Sequence, residues 1–177
     1  MAGMEVIGHS ELGSATSSVS FSSIPATYQH LYVVGSVRSP HSAYSVGSAV
    51  TFNDDTGSNY TCSAIFNTGA GVNATEETGR ANAPYFMDGA GSSSVANAFA
   101  ADEMWVLNYA STAMYKSLIG GTSNVGDDAY VDETVWMETI VHGHWESTAA
   151  INKVTIASGS SNWAQYTAFT LYGINAA

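Results

Sequence analysis

Residues 31–38 read Leu31-Tyr-Val-Val-Gly-Ser-Val-Arg38. Leu31, Val33 and Val37 fall on one parity, Tyr32 and Val34 on the other. A segment that keeps period two and is apolar on both sides reads as a strand in the middle of a sheet. The same period recurs outward from it. Upstream, residues 16–21 form a strand leading into Ile24-Pro25. Downstream, residues 46–52 turn Val46, Val50 and Phe52 inward, and residues 60–66 do the same with Tyr60, Cys62, Ala64 and Phe66. Between them lies Asn53-Asp-Asp-Thr-Gly-Ser-Asn59, a run of turn formers, so the pair reads as a hairpin with a surface loop. Residues 103–109 and 113–119 read as a second hairpin. The longest strand is 131–145, with Val135, Met137, Val141 and Trp145 on one parity. Strands at 150–157 and 167–174 close the chain around the turn-rich stretch 158–162.

Helical signals are few. Val95 and Phe99 stand at i and i+4 within 93–103, and Thr75-Glu-Glu-Thr78 has the make-up of a first helical turn. The stretch 67–98 is the least patterned and reads as a long excursion with one short strand at 84–87. The expectation is a single all-β, antiparallel, jelly-roll-like β-sandwich of eight or nine strands with at most two short helices. Residues 1–14 form an N-terminal arm or edge strand, and residues 15–177 the sandwich domain.

Composition agrees with this reading. A chain of 177 residues is one ordinary domain, and size scaling gives it a folded surface of roughly 8,200 Å². Charged residues make up 11%, against about 25% in a typical soluble domain. Four basic residues face fifteen acidic ones, for a net charge of −11. Nucleic-acid binding, which needs clustered Lys and Arg, is thereby disfavoured, as are anionic membranes. Ser, Thr, Asn and Gly supply the polar surface instead. The N-terminus lacks the basic and long apolar regions of a secretory leader, and no apolar run reaches the length of a membrane helix. A lone Cys62 forms no intrachain disulfide and, on an apolar parity, reads as a buried inert thiol.

No catalytic constellation is visible, and neither a catalytic residue nor a cofactor or metal is assigned. Three groups have a chemical reading nonetheless. His142-Gly143-His144 places two imidazoles on one side of a strand, with Glu138 on the same parity, the spacing of a metal pair. The loop 53–59, and Gly126-Asp-Asp128 with Asp132 and Glu133, supply oxygens of the kind calcium takes, but without EF-hand spacing. Trp163, in a loop, is the aromatic best placed to stack on a sugar. The segment ahead of the first strand carries Met4, Val6, Ile7 and Leu12, more apolar residues than a free tail needs. These four read as a contact surface for another subunit or a partner.

Several segments together carry a resemblance. They are Phe21-Ser-Ser-Ile-Pro-Ala-Thr-Tyr-Gln-His-Leu31, Phe52-Asn-Asp-Asp-Thr-Gly-Ser-Asn-Tyr60, Asn108-Tyr109 with Tyr115-Lys116-Ser117, Ala149–Ile156, and the ending Phe169-Thr-Leu-Tyr-Gly-Ile174. Over most of residues 15–174 the chain resembles small virion structural proteins of tailed bacteriophages, notably those infecting cyanobacteria and other aquatic bacteria. The resemblance implies a non-enzymatic protein of the virion, assembled in the bacterial cytoplasm. It implies a capsid decoration (cement) protein seated as a homotrimer on the outer capsid surface, with the major capsid protein as partner. Its alternative is a tail or fibre module that recognises a host surface glycan.

Overall fold

A computed structural model describes residues 3–67, 71–128 and 133–175, with the side chains of 125–128 and 133–137 outside the description. The described residues contain strands and no helix. In chain order the strands are β1 (Met4–Glu11), β2 (Ser18–Ser22), β3 (His30–Val37), β4 (Ser45–Val46), β5 (Ser48–Phe52), β6 (Tyr60–Asn67) and β7 (Val72–Arg80). They continue with β8 (Gly89–Ala90), β9 (Ala100–Leu107), β10 (Lys116–Asp128), β11 (Glu133–Trp145), β12 (Lys153–Ser158) and β13 (Ala168–Ile174). Eight of them form one antiparallel sheet in the order β1-β13-β3-β9-β10-β11-β6-β7. A three-stranded sheet, β2-β12-β5, packs on it, and β4 pairs with β8 in a two-stranded ribbon.

This is an all-β sandwich with unequal layers. Its strand order does not confirm the jelly-roll detail, since the layers hold eight, three and two strands rather than two sets of four. The core lies between the layers. Leu31, Val33, Met104, Val106, Leu118 and Val141 from the large sheet meet Val19, Phe21, Val50, Phe52, Val154 and Ile156 from the small one. The rings of Phe52 and Trp145, one from each layer, stand 5.6 Å apart. The accessible surface of 8406 Å² is close to that expected of a single compact domain of this size.

The structure corrects four local expectations. The strands flanking 53–59 are not a hairpin: β5 pairs with β12 in the small sheet, whereas β6 pairs with β11 and β7 in the large one. The loop is an arch that carries the chain from one layer to the other. Thr75-Glu-Glu-Thr78 belongs to β7 and not to a helical turn, because its backbone pairs with β6, Thr75 opposite Ala64 and Glu76 opposite Ser63. Residues 84–87 are not a strand. Pro84 lacks a donor for a ladder, and Tyr85 takes φ of 70°, a left-handed value no strand holds. Residues 93–98 make turns, with Asn97 also left-handed, and from Ala100 onward the chain is the strand β9.

Candidate functional site on the outer face of the large sheet

Successive residues of a strand point to opposite faces, so a strand that buries one parity shows the other to its second side. Across the middle of the large sheet the outward parity carries large apolar side chains among polar ones. The cross-strand register lines up Val6, Tyr172, Tyr32, Trp105, Ile119 and His142 on six adjacent strands. The neighbouring row runs Val34, Glu103, Gly121, Ile140 and Ile65. Ile119 is 50% exposed and Ile140 71% exposed, and Met4, Val6, Ile65 and Val72 on the same sheet are also exposed. No layer of the described chain covers this face. Contiguous apolar surface of this kind marks a binding surface.

Its aromatic members are ordered. The rings of Tyr32 and Trp105 lie 4.4 Å apart at 32°, and Tyr172 follows at 6.2 Å from Tyr32. The Tyr32 hydroxyl donates to Glu103 Oε2 at 2.7 Å. Partial burial and this bond push the Tyr32 phenol up to about 12, so it stays protonated and keeps donating. Beside the rings lies a shallow groove of about 510 Å³, walled by Tyr32, Val34, Glu103, Ser123, Glu138 and Ile140. Gly121 makes the groove. It sits between Glu103 and Ile140 in the row, and a Cβ there would lie 2.7 Å from the carbonyl oxygen of Thr139. The missing side chain leaves a trough between two filled positions. Flat rings, carboxylates and hydroxyls on a rigid sheet form a surface that binds by stacking and hydrogen bonding.

The residues singled out in the sequence divide. Met4 and Val6 are exposed on β1, the edge strand that pairs with β13. Ile7 is half-buried against the core. Leu12 is buried, and its backbone is tied to Thr167 and Tyr166, so it is a core residue and not a contact. Trp163 is likewise corrected. It is fully buried, packs edge-on against Phe169 at 6.0 Å, and its indole N–H donates to the carbonyl of Ile156 at 3.1 Å. The loop it occupies is pinned beneath the small sheet by a backbone bridge to Thr16, which removes the ring from solvent.

His142 and His144 are exposed on the outer face, opposite buried Val141 and Trp145. Glu138 shares that face but stands four residues away, about 13 Å along the strand. Among the described residues no group of three His, Cys, Asp or Glu side chains could hold a metal ion. Asp132 and the side chains of Asp127, Asp128 and Glu133 lie outside the described residues. Cys62 is buried, and burial pushes its thiol up to about 11, away from thiolate chemistry.

The arch 53–59 has a structural task that its composition does not announce. Asp55 accepts from the Gly57 N–H at 2.8 Å, from the Asn59 amide at 2.9 Å, and from the indole N–H of buried Trp145 at 2.8 Å. The Asn59 bond, helped by those from Trp145 and Gly57, holds the Asp55 carboxyl below its usual range against the opposing effect of desolvation. Asn53 accepts from the backbone of Asn152 and Lys153, and Asp54 pairs with Lys153 at 2.7 Å. The oxygens that suggested calcium are largely committed to the fold.

No protein-family model matches this sequence, nor does any curated protein sequence. Among solved structures the chain is similar to an exo-inulinase from Aspergillus awamori, at 11% identity and a TM-score of 0.41. The match covers 99% of this chain and 30% of that one, so the chain spans about a third of the enzyme's length. A protein of unknown function from Shewanella oneidensis MR-1, SO2946, aligns at 9% identity and a TM-score of 0.21, over 100% of this chain and 79% of that one.

Proposed function

We propose that the chain is a non-enzymatic structural protein of a bacteriophage virion. In the first place it is a capsid decoration protein that lays the outer face of its large sheet on the head lattice. The observation that carries this reading is the uncovered outer row Tyr172, Tyr32, Trp105 and Ile119, which reaches the edge strand β1 at exposed Met4 and Val6. The sequence resemblance supplies the virion. In this reading the face bridges neighbouring subunits of the major capsid protein. A net charge of −11 keeps free copies apart until they dock. A homotrimer on a three-fold or quasi-three-fold position suits that role, since closed symmetric assembly is the common form of soluble oligomers. The test is quantitative mass spectrometry of purified virions. Decoration predicts copies in the hundreds, and a few dozen or fewer would overturn it.

The row Tyr172, Tyr32 and Trp105 beside a carboxylate-walled groove favours a second reading, a tail or fibre module that binds a host glycan. The glycan contact then moves from buried Trp163 to this row. On a glycan array, binding that disappears in Trp105→Ala supports it, and no binding by the wild-type protein removes it.

A further inference from the structure

The inner face of the large sheet carries one row that is not apolar. Through the register it runs Gly35, Asp102, Thr122, Thr139 and Phe66, from β3 across to β6. Thr122, Thr139 and Phe66 line a half-open pocket of about 170 Å³, with Ser45, Tyr85 and Asp88 on its other side. Asp102 is the next position in that row, one strand beyond Thr122. The segment before Asp88 spans it. A Cβ on Gly35 would lie 3.0 Å from Met87 Cε, and one on Gly120 3.1 Å from Phe86 Cδ1, so residues 86–87 cross β9 over Asp102.

Asp102 is 5% exposed, and neither carboxylate oxygen has a hydrogen-bond partner. Asp88 is buried too, accepting from the Ser48 N–H at 2.8 Å. A separate observation points into the same space. Asn124, 2% exposed and lining the pocket, uses its amide N–H groups on Tyr44 and Ser94, while its Oδ1 has no partner. No Lys or Arg among the described residues pairs with these carboxylates. All four basic side chains are engaged elsewhere: Arg38 on the carbonyls of Val95 and Ala98, Lys116 on those of Met114 and Ser147, Arg80 on Glu77 and Lys153 on Asp54. Four of the histidines lie on strands of the large sheet with their side chains on its outer face, and His41 is in the loop before β4.

A buried polar group keeps its place only when something satisfies it. We propose that the pocket lined by Asp88, Thr122 and Asn124, with Asp102 beside Thr122 at its edge, is a structural site for a hard divalent cation, calcium by its oxygen-rich lining, held by the two carboxylates, the Asn124 Oδ1 and the Thr122 hydroxyl. Calcium takes six to eight oxygens in flexible geometry, and carboxylate, amide and hydroxyl oxygens are the donors present. The ion ties the covering segment around Asp88 to the large sheet.

The test uses the full chain, stripped with EDTA and dialysed, then titrated with calcium chloride in a thermal melt and by equilibrium dialysis with ⁴⁵Ca. One ion binds per chain, and at a hundredfold excess over Kd the melting temperature rises by roughly 5–10 °C. Asp102→Asn removes a buried charge without changing shape, so it melts higher than the wild type in EDTA and loses the calcium response with at least a tenfold drop in affinity. Asp54→Asn, in the arch, keeps both. Equal melting of wild type in EDTA and in calcium overturns the proposal. So does a calcium response that survives in Asp102→Asn, which would put the ion elsewhere.

Discussion

Both faces of the large sheet carry rows of large apolar side chains, and the rows meet different fates. Inward, Leu31, Val33, Met104, Val106 and Leu118 are buried under the small sheet. Outward, Tyr32, Trp105, Ile119 and Ile140 stand in equally regular rows with nothing of the described chain over them. The difference lies in supply. Three strands of β2-β12-β5, with the 83–90 segment, cover one face of eight, and among the described residues nothing remains to cover the other. Apolar alternation reports what a strand presents, and the count of covering elements decides what is buried.

The largest effect belongs to the covered face. Trp145→Ala removes a ring packed between Phe52, Tyr60 and the Lys116 ammonium, and should cost about 3–5 kcal/mol in urea denaturation. Next comes the arch that joins the two layers. Asp55→Ala leaves the buried indole N–H of Trp145 unpaired and should cost about 1–3 kcal/mol. Acid tests the same bond network. The Asp55 carboxyl is lowered in the folded chain, so its contribution is fully present above the unfolded value near 3.8. It is lost as pH falls through the lower folded value, and Asp55→Ala should flatten that part of the stability–pH curve. The smallest effect is at the surface: Asp54→Asn breaks an exposed ion pair to Lys153 and should change stability by no more than about 0.5 kcal/mol.

Strand positions were largely legible because period two survives in single segments, as in 31–37, 60–66 and 168–174. The partners were not. The run 53–59 has the composition of a hairpin loop, and nothing local distinguishes a turn back onto the same sheet from an arch between sheets. That choice is made by β12, about a hundred residues on, which takes β5 as its neighbour. Trp163 misled for the same reason. A loop ring among Ser and Asn reads as exposed until the distant Thr16 pairs with its backbone and the Ile156 carbonyl takes its N–H. The outer-face row did leave a signal, the apolar second parity of 31–38, but one strand alone reads as doubly buried. Asp102 left none, since an acid between Ala101 and Glu103 looks like any solvated position.

Decoration requires the outer face to be a docking surface rather than a surface merely left bare. The direct measurement is co-sedimentation with purified phage heads of wild type, Ile119→Asp and Ile140→Asp, with melting temperatures taken in parallel. Both side chains are at least half exposed, so neither change should move stability by more than about 0.5 kcal/mol. Docking through this face predicts at least a tenfold loss of binding in each variant with the melting transition intact. Binding equal to wild type in both variants would contradict it.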